Sequence, residues 1–197
     1  MKNNIIKQIE NSIEVKRQIL SSPDLISKIE EAANALITAY RSGNKTLLAG
    51  NGGSAGDAQH IAGELVNKFC FDRPGIASIA LTTDSSILTA IGNDYGYSKL
   101  FERQVQALGM EGDVFIGIST SGRSENIMKA LVACRRMGIT TIGLTGEKRG
   151  KMDELCDICI NVPSKETPRI QESHILIGHI ICGIVEEGLF GELRTKS

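Results

Sequence analysis

From Lys45 onward, short runs rich in Ile, Leu and Val alternate with helical patterns, and few folds accept that order. Strands are expected at Thr46–Gly50, Ala77–Thr82, Val114–Ser119, Thr141–Thr145 and Ile158–Val162. Helical segments lie between them, at Ser54–Cys70, Ser85–Ile91 with Ser98–Leu108, Asn126–Met137 and a short Lys151–Leu155. Strands that are apolar throughout, rather than at every second residue, are those buried on both faces of a parallel sheet. The alternation therefore predicts an α/β doubly wound fold.

Two helices precede the sheet. Ile5, Ile6, Ile9, Ile13 and Leu20 fall mostly on one face of the first. Ser22 and Pro23 suit the N-cap and first position of the second, and Gly43 ends it. Its apolar stripe is Leu25, Ile26, Ile29, Ala33, Leu36 and Ile37. The last helix, Arg169–Leu189, is apolar around nearly its whole circumference. One sheet face cannot cover every side of such a helix, so a subunit interface, and with it an oligomer, is expected.

With 197 residues, 41% apolar and 23% charged, the chain is long enough for one domain with a sizeable core. A net charge of −1 gives no general attraction to nucleic acid or to an anionic membrane. The N-terminus has no uninterrupted apolar stretch of the kind a signal peptide needs. The apolar segment around Ile175–Val185 is broken by His179 and reads as too short to span a bilayer. Cys70, Cys134, Cys156, Cys159 and Cys182 are odd in number and sit in apolar stretches, which predicts reduced thiols in a cytoplasm. Cys156 and Cys159 form an isolated CxxC with no second pair, so a structural role is expected of them.

Three segments offer chemistry. Gly50-Asn51-Gly52-Gly53-Ser54 turns from strand to helix, where a ligand approaches the backbone closely and helix N–H groups attract anions. His60 and Glu64 follow, four residues apart on one helical face, in reach of one ion or one proton. A surface pair would look the same. Ser119-Thr120-Ser121-Gly122-Arg123-Ser124 closes the third strand with four hydroxyls in six residues. Helix capping would explain one of them, whereas four favour a phosphate at a strand's carboxyl end. The segment lacks the Gly-Lys-Ser/Thr ending of a P-loop and is not GxGxxG.

His179 needs a partner for its ring in an otherwise apolar helix. Helical spacing places it near the face of Glu172 and about 80° from Gln171, and periodicity alone does not choose between the two. His174, five residues earlier, points elsewhere. Gly92-Asn93-Asp94-Tyr95-Gly96 reads either as a turn or as a cleft wall in which Asn93 and Asp94 meet hydroxyls.

Five of these segments, in order, resemble the phosphoheptose isomerase family of sugar isomerase (SIS) domains: 50–55, 57–65, 90–96, 117–122 and Arg169-Ile170-Gln171-Glu172-x-His174. The likeness spans roughly 4–189. It implies one SIS domain over 1–197, with N-terminal helices at 1–43 and an α/β core and C-terminal helix at 45–190. The sheet is then five-stranded, parallel and flavodoxin-like.

The resemblance further implies a cytoplasmic homotetramer with active sites between subunits, and no nucleic-acid or membrane partner. It implies one zinc ion per subunit on His60, Glu64, Gln171 and His179, which favours Gln171 over Glu172. Asn51, Gly52, Gly53, Asn93, Asp94, Ser119, Thr120, Ser121 and Ser124, with Glu64 and Gln171, would contact the sugar phosphate. The implied reaction converts sedoheptulose 7-phosphate to D-glycero-D-manno-heptose 7-phosphate through an enediol, with Glu64 as base and His179 as acid. Some members carry aspartate where this chain has Pro168, after Thr167.

Rival readings are a non-catalytic relative that binds the replication initiator DnaA, a sugar-phosphate sensor and an isomerase of another sugar phosphate. The first kind lacks the acid–base pair that Glu64 and His179 match, and no DNA-binding domain fits in the length.

Overall fold

The computed structural model describes residues 1–148 and 150–196. Two helices, α1 (Lys2–Leu20) and α2 (Pro23–Arg41), lead into a five-stranded parallel sheet of order β2-β1-β3-β4-β5. The strands are β1 (Thr46–Gly50), β2 (Ser78–Ala80), β3 (Val114–Ile118), β4 (Thr140–Thr145) and β5 (Ile158–Asn161). Between and after them run α3 (Gly53–Val66), α4 (Ser85–Tyr95), α5 (Leu100–Leu108), α6 (Glu125–Arg136), α7 (Lys151–Leu155) and α8 (Thr167–Phe190).

Every residue of β1 and β3 is buried, which is why both read as unbroken apolar runs. They pair in register from Thr46 with Val114 to Gly50 with Ile118. One core lies between the sheet and α1, α2, α3 and α8, and includes Leu36, Leu48, Ile61, Ile116, Ile177 and Val185. The other face packs against α5 and α6 through Leu47, Phe101, Val105, Phe115, Ile127 and Leu131. Strand order reverses between β1 and β3. The loops after these two strands therefore open to opposite faces and leave a crevice between them.

Ser22 caps α2 as expected, its hydroxyl accepting from the Leu25 N–H, with Pro23 at the first position. Elsewhere the boundaries move. The second strand is cut to three residues at the sheet edge, and its pairing continues by one hydrogen bond at each end, from the Thr46 N–H to the Ala77 carbonyl and from the Leu81 N–H to the Leu48 carbonyl. Gly92–Gly96, read as either a turn or a cleft wall, is mostly helix. α4 runs through Gly92, Asn93, Asp94 and Tyr95, and stops at Gly96, whose φ of +82° a side chain would resist. Expected to reach Cys70, α3 ends at Val66, because a buried arginine takes its last carbonyls.

The terminal helices leave apolar surface uncovered in the single chain. On α1, Val15 and Ile19 are buried while Ile5, Ile6, Ile9, Ile13 and Leu20 are exposed. α8 buries Ile170, Ile177, Ile181 and Val185 but exposes Ile180 and Ile184. The expectation that this apolar segment is too short to span a bilayer fails on length. An 18-residue window within Thr167–Arg194, with a mean hydropathy of 1.4, is long and apolar enough by length and composition alone. Its buried residues belong to the core between α8 and the sheet.

Candidate functional site

The seam between α3 and α8 gathers the reactive side chains. Gly178 of α8 lies so close to α3 that a Cβ there would meet Ile61 Cδ1 at 2.6 Å. That approach brings His179 beside His60. Their Nε2 atoms are 2.9 Å apart, and His60 Nε2 is 3.2 Å from Glu64 Oε1. One ligand atom from each of the three residues lies within 4.8 Å of the others. The Phe69 ring, just past α3, flanks His179 at 5.4 Å between centroids. Each side chain of the trio keeps partial access to solvent.

Two imidazole nitrogens and a carboxylate suit a borderline divalent ion. The separations of 2.9 and 3.2 Å fit it as well. A tetrahedral ion with bonds of roughly 2.0–2.1 Å holds its ligand atoms about 3.3 Å apart. The trio therefore fits the implied metal.

Gln171 and Glu172 go separate ways. Glu172 turns toward α1, where it pairs with Arg169 and Lys16. Those partners hold its carboxyl below the ordinary range despite the opposing effect of burial. Gln171 turns toward α3 and presses on Gly53, where a Cβ would lie 2.3 Å from its Nε2. The glycine turn thus admits the Gln171 amide at the first turn of the helix that carries His60 and Glu64. Gly52, with φ +57° and ψ −122°, supplies the backbone conformation that starts α3.

The hydroxyl loop follows β3. Ser119 is buried, and its Oγ lies 2.9 Å from Ser124 Oγ. Ser124 occupies the N-cap position of α6 but makes no side-chain cap. Capping therefore does not account for this hydroxyl, which faces Ser119 across the turn at Gly122 instead. Thr120 and Ser121 line a cleft of about 180 Å³ with Arg123, Lys148, Lys165 and Thr167. Glu147 also lines the cleft and pairs with Lys165 at 3.1 Å, so three cations stand against one carboxylate and the balance favours anions.

Sequence reasoning missed Asn126. Its side chain is buried and exchanges two amide hydrogen bonds with Asn51, of 3.0 and 2.8 Å, while the Tyr97 hydroxyl also donates to Asn51. This pair spans the crevice between β1 and β3 and ties the glycine turn to the start of α6. Only the strand order places these asparagines together. Asn93 and Asp94 lie apart from the rest, exposed on the last turn of α4 and hydrogen-bonded to each other at 2.8 Å.

Residues 9–146 match the SIS domain family. A phosphoheptose isomerase of Aneurinibacillus thermoaerophilus is 65% identical over 96% of both chains. Another, phosphoheptose isomerase 2 of Campylobacter jejuni, is 68% identical over 96% of this chain and 95% of its own. The chain belongs to the phosphoheptose isomerase family of SIS-domain proteins. A phosphoheptose isomerase structure from Neisseria gonorrhoeae superposes with a TM-score of 0.89 at 40% identity, covering 94% of this chain and 98% of that one. The sugar isomerase domain of an RpiR transcription factor from Sphaerobacter thermophilus shares the fold alone, with a TM-score of 0.63 at 18% identity over 97% of this chain and 96% of that one.

Proposed function

We propose that the protein isomerises sedoheptulose 7-phosphate to D-glycero-D-manno-heptose 7-phosphate, the first step of heptose synthesis for bacterial lipopolysaccharide core or capsule. The observation that carries the reading is the placing of Glu64 and His179 around one point beside His60. A carboxylate and an imidazole are the groups an enediol isomerisation needs. Glu64 takes the proton from C1 of the ketose and returns it to C2. His179 gives a proton to the C2 carbonyl oxygen and accepts one from the C1 hydroxyl, so that the protons balance. Oε1 of Glu64 faces His60, which leaves Oε2 for the substrate.

His60, Glu64, Gln171 and His179 would hold one zinc ion per subunit, which when bound supplies Lewis-acid polarisation of the carbonyl. Ser119, Thr120, Ser121 and Ser124 receive the phosphate, where it orients a seven-carbon chain whose reacting carbons lie at the other end. Asn51, Gly52 and Gly53 form the adjoining wall for the sugar, and Glu64 and Gln171 meet it from the α3–α8 seam. Asn93 and Asp94, exposed in one chain, complete the site of a neighbouring subunit in a cytoplasmic homotetramer. The uncovered isoleucines of α1 and α8 support that assembly. The whole chain, 1–197, acts as a single SIS domain.

The test is turnover of sedoheptulose 7-phosphate beside pentose and hexose phosphates, at equal concentration. The reading expects the heptose to exceed the others in kcat/KM. A pentose or hexose phosphate turned over faster would assign the site to another substrate of the same chemistry.

A further inference from the structure

A buried ion pair stands just behind the reactive trio. Arg73 and Glu186 have side chains exposed by 0% and 1%, with Arg73 Nε 3.0 Å from Glu186 Oε1. The remaining guanidinium donors end α3. Arg73 Nη2 donates to the Glu64 carbonyl at 2.8 Å, and Nη1 donates to Leu65, Asn67 and Pro74 carbonyls at 2.7, 3.2 and 3.0 Å. The carboxylate of Glu186 accepts the Phe69 N–H at 2.8 Å and the Cys70 N–H at 2.6 Å.

Each end of this pair reaches one member of the reactive pair. Arg73 binds the main chain of Glu64 itself. Glu186 lies seven residues after His179, two turns along the same face of α8. It also fixes the residue whose ring flanks His179. Burial raises the Glu186 carboxyl, but the Phe69 and Cys70 N–H groups and Arg73 outweigh it and hold it below the ordinary range, so it stays ionised.

Packing alone does not call for such a pair. Apolar residues of similar volume fill a buried site at equal or lower cost than two desolvated charges. What they do not supply is direction: four carbonyls and two N–H groups pinned at fixed angles. We propose that Arg73 and Glu186 are positioning residues for proton transfer, setting the Glu64 main chain and, through Phe69, the ring of His179. The inference rests on the reading that Glu64 and His179 move the proton.

Glu186→Gln keeps the shape of the carboxylate and removes its charge. Phe69→Ala removes the ring and leaves the ion pair intact. Both are assayed for kcat and KM on sedoheptulose 7-phosphate, with circular dichroism to establish folding. Misplacing a reacting group by a fraction of an ångström predicts a loss of about tenfold or more in kcat in each, with KM nearly unchanged. The double variant is expected to lose no more than Glu186→Gln alone, because the Phe69 contact is one of the two through which Glu186 acts. Full kcat in either folded variant, a change confined to KM, or additive losses would overturn the inference. Should Glu186→Gln fail to fold, Arg73→Lys takes its place: it keeps the charge and loses the Nη2 bond to the Glu64 carbonyl, and full kcat in it would overturn the inference.

Glu64→Gln and His179→Gln in the same assay separate the two levels. If they retain turnover, the reading of the reaction fails. If they lose it while Phe69→Ala keeps full kcat, only the positioning role fails.

Discussion

Nε2 of His179 lies 2.9 Å from Nε2 of His60, which in turn is 3.2 Å from Oε1 of Glu64. Two imidazole nitrogens at that distance share either a proton or a cation. With the carboxylate beside them, a divalent ion is the better partner. Added zinc is therefore expected to raise the melting temperature of metal-stripped protein, by about 2.7 kcal/mol of stability at a hundredfold excess over Kd. His60→Ala should abolish most of the gain. Differential scanning calorimetry checks this, and equal shifts in both proteins would remove His60 from the metal site.

Gly53 separates fold from function. A Cβ there would lie 2.3 Å from Gln171 Nε2, the far end of a flexible side chain. Gly53→Ala should change stability by less than about 1 kcal/mol, since alanine also favours the helix. It should cost turnover about tenfold or more by moving the Gln171 amide. Urea unfolding and steady-state kinetics on the same sample test both halves.

His174 gives the fold a dependence on pH. Burial drives its ring down to about 4, and only a hydrogen bond to the Thr145 carbonyl, at 3.2 Å, opposes the shift. Below 6.5 the unfolded state binds a proton that the folded state refuses. Stability therefore falls as pH drops from 6.5 to about 4, by about 3 kcal/mol in all. His174→Gln should flatten the slope of unfolding free energy between pH 6.5 and 5. Glu186, Glu172 and Asp113, whose carboxyls are lowered, lose their own contribution only at more acid pH. Asp57, raised by burial, acts there with the opposite sign.

The thiol pair packs over Gly143. A Cβ at Gly143 would meet Cys156 Sγ at 2.7 Å, Met152 Cε at 3.0 Å and Cys159 Sγ at 3.2 Å. Overpacking of this kind costs about 1–3 kcal/mol. Gly143→Ala is expected to lower stability by that amount, and adding Cys156→Ala should recover part of it. Thermal unfolding of the single and double variants gives the comparison. No recovery would mean that Met152 and the backbone, rather than the thiol, set the limit.

Local signals carried most of the fold. β1 and β3 were legible because burial on both faces writes an unbroken apolar run, and α2 because Ser22 and Pro23 are local start signals. The end of α3 was not. Arg73 and Glu186 are 113 residues apart, and nothing near Val66 announces that a guanidinium will take the Glu64 and Leu65 carbonyls. Gly92 and Asn93 misled in the other direction, since tertiary context kept them helical. In the site, the four-residue spacing gave half of the reactive trio. His179 joins it only because α3 and α8 meet at Gly178, and the division of labour between Gln171 and Glu172 needs the position of α1. Asn126 carries no sequence signal beyond an asparagine at a helix start.

The most direct measurement is the isomerisation of sedoheptulose 7-phosphate by the unaltered protein and by folded Glu64→Gln and His179→Gln variants. The unaltered protein is expected to form D-glycero-D-manno-heptose 7-phosphate, and each variant to lose about 10²–10⁴-fold in kcat. Absence of turnover in the unaltered protein, or near-normal turnover in either variant, would contradict the account.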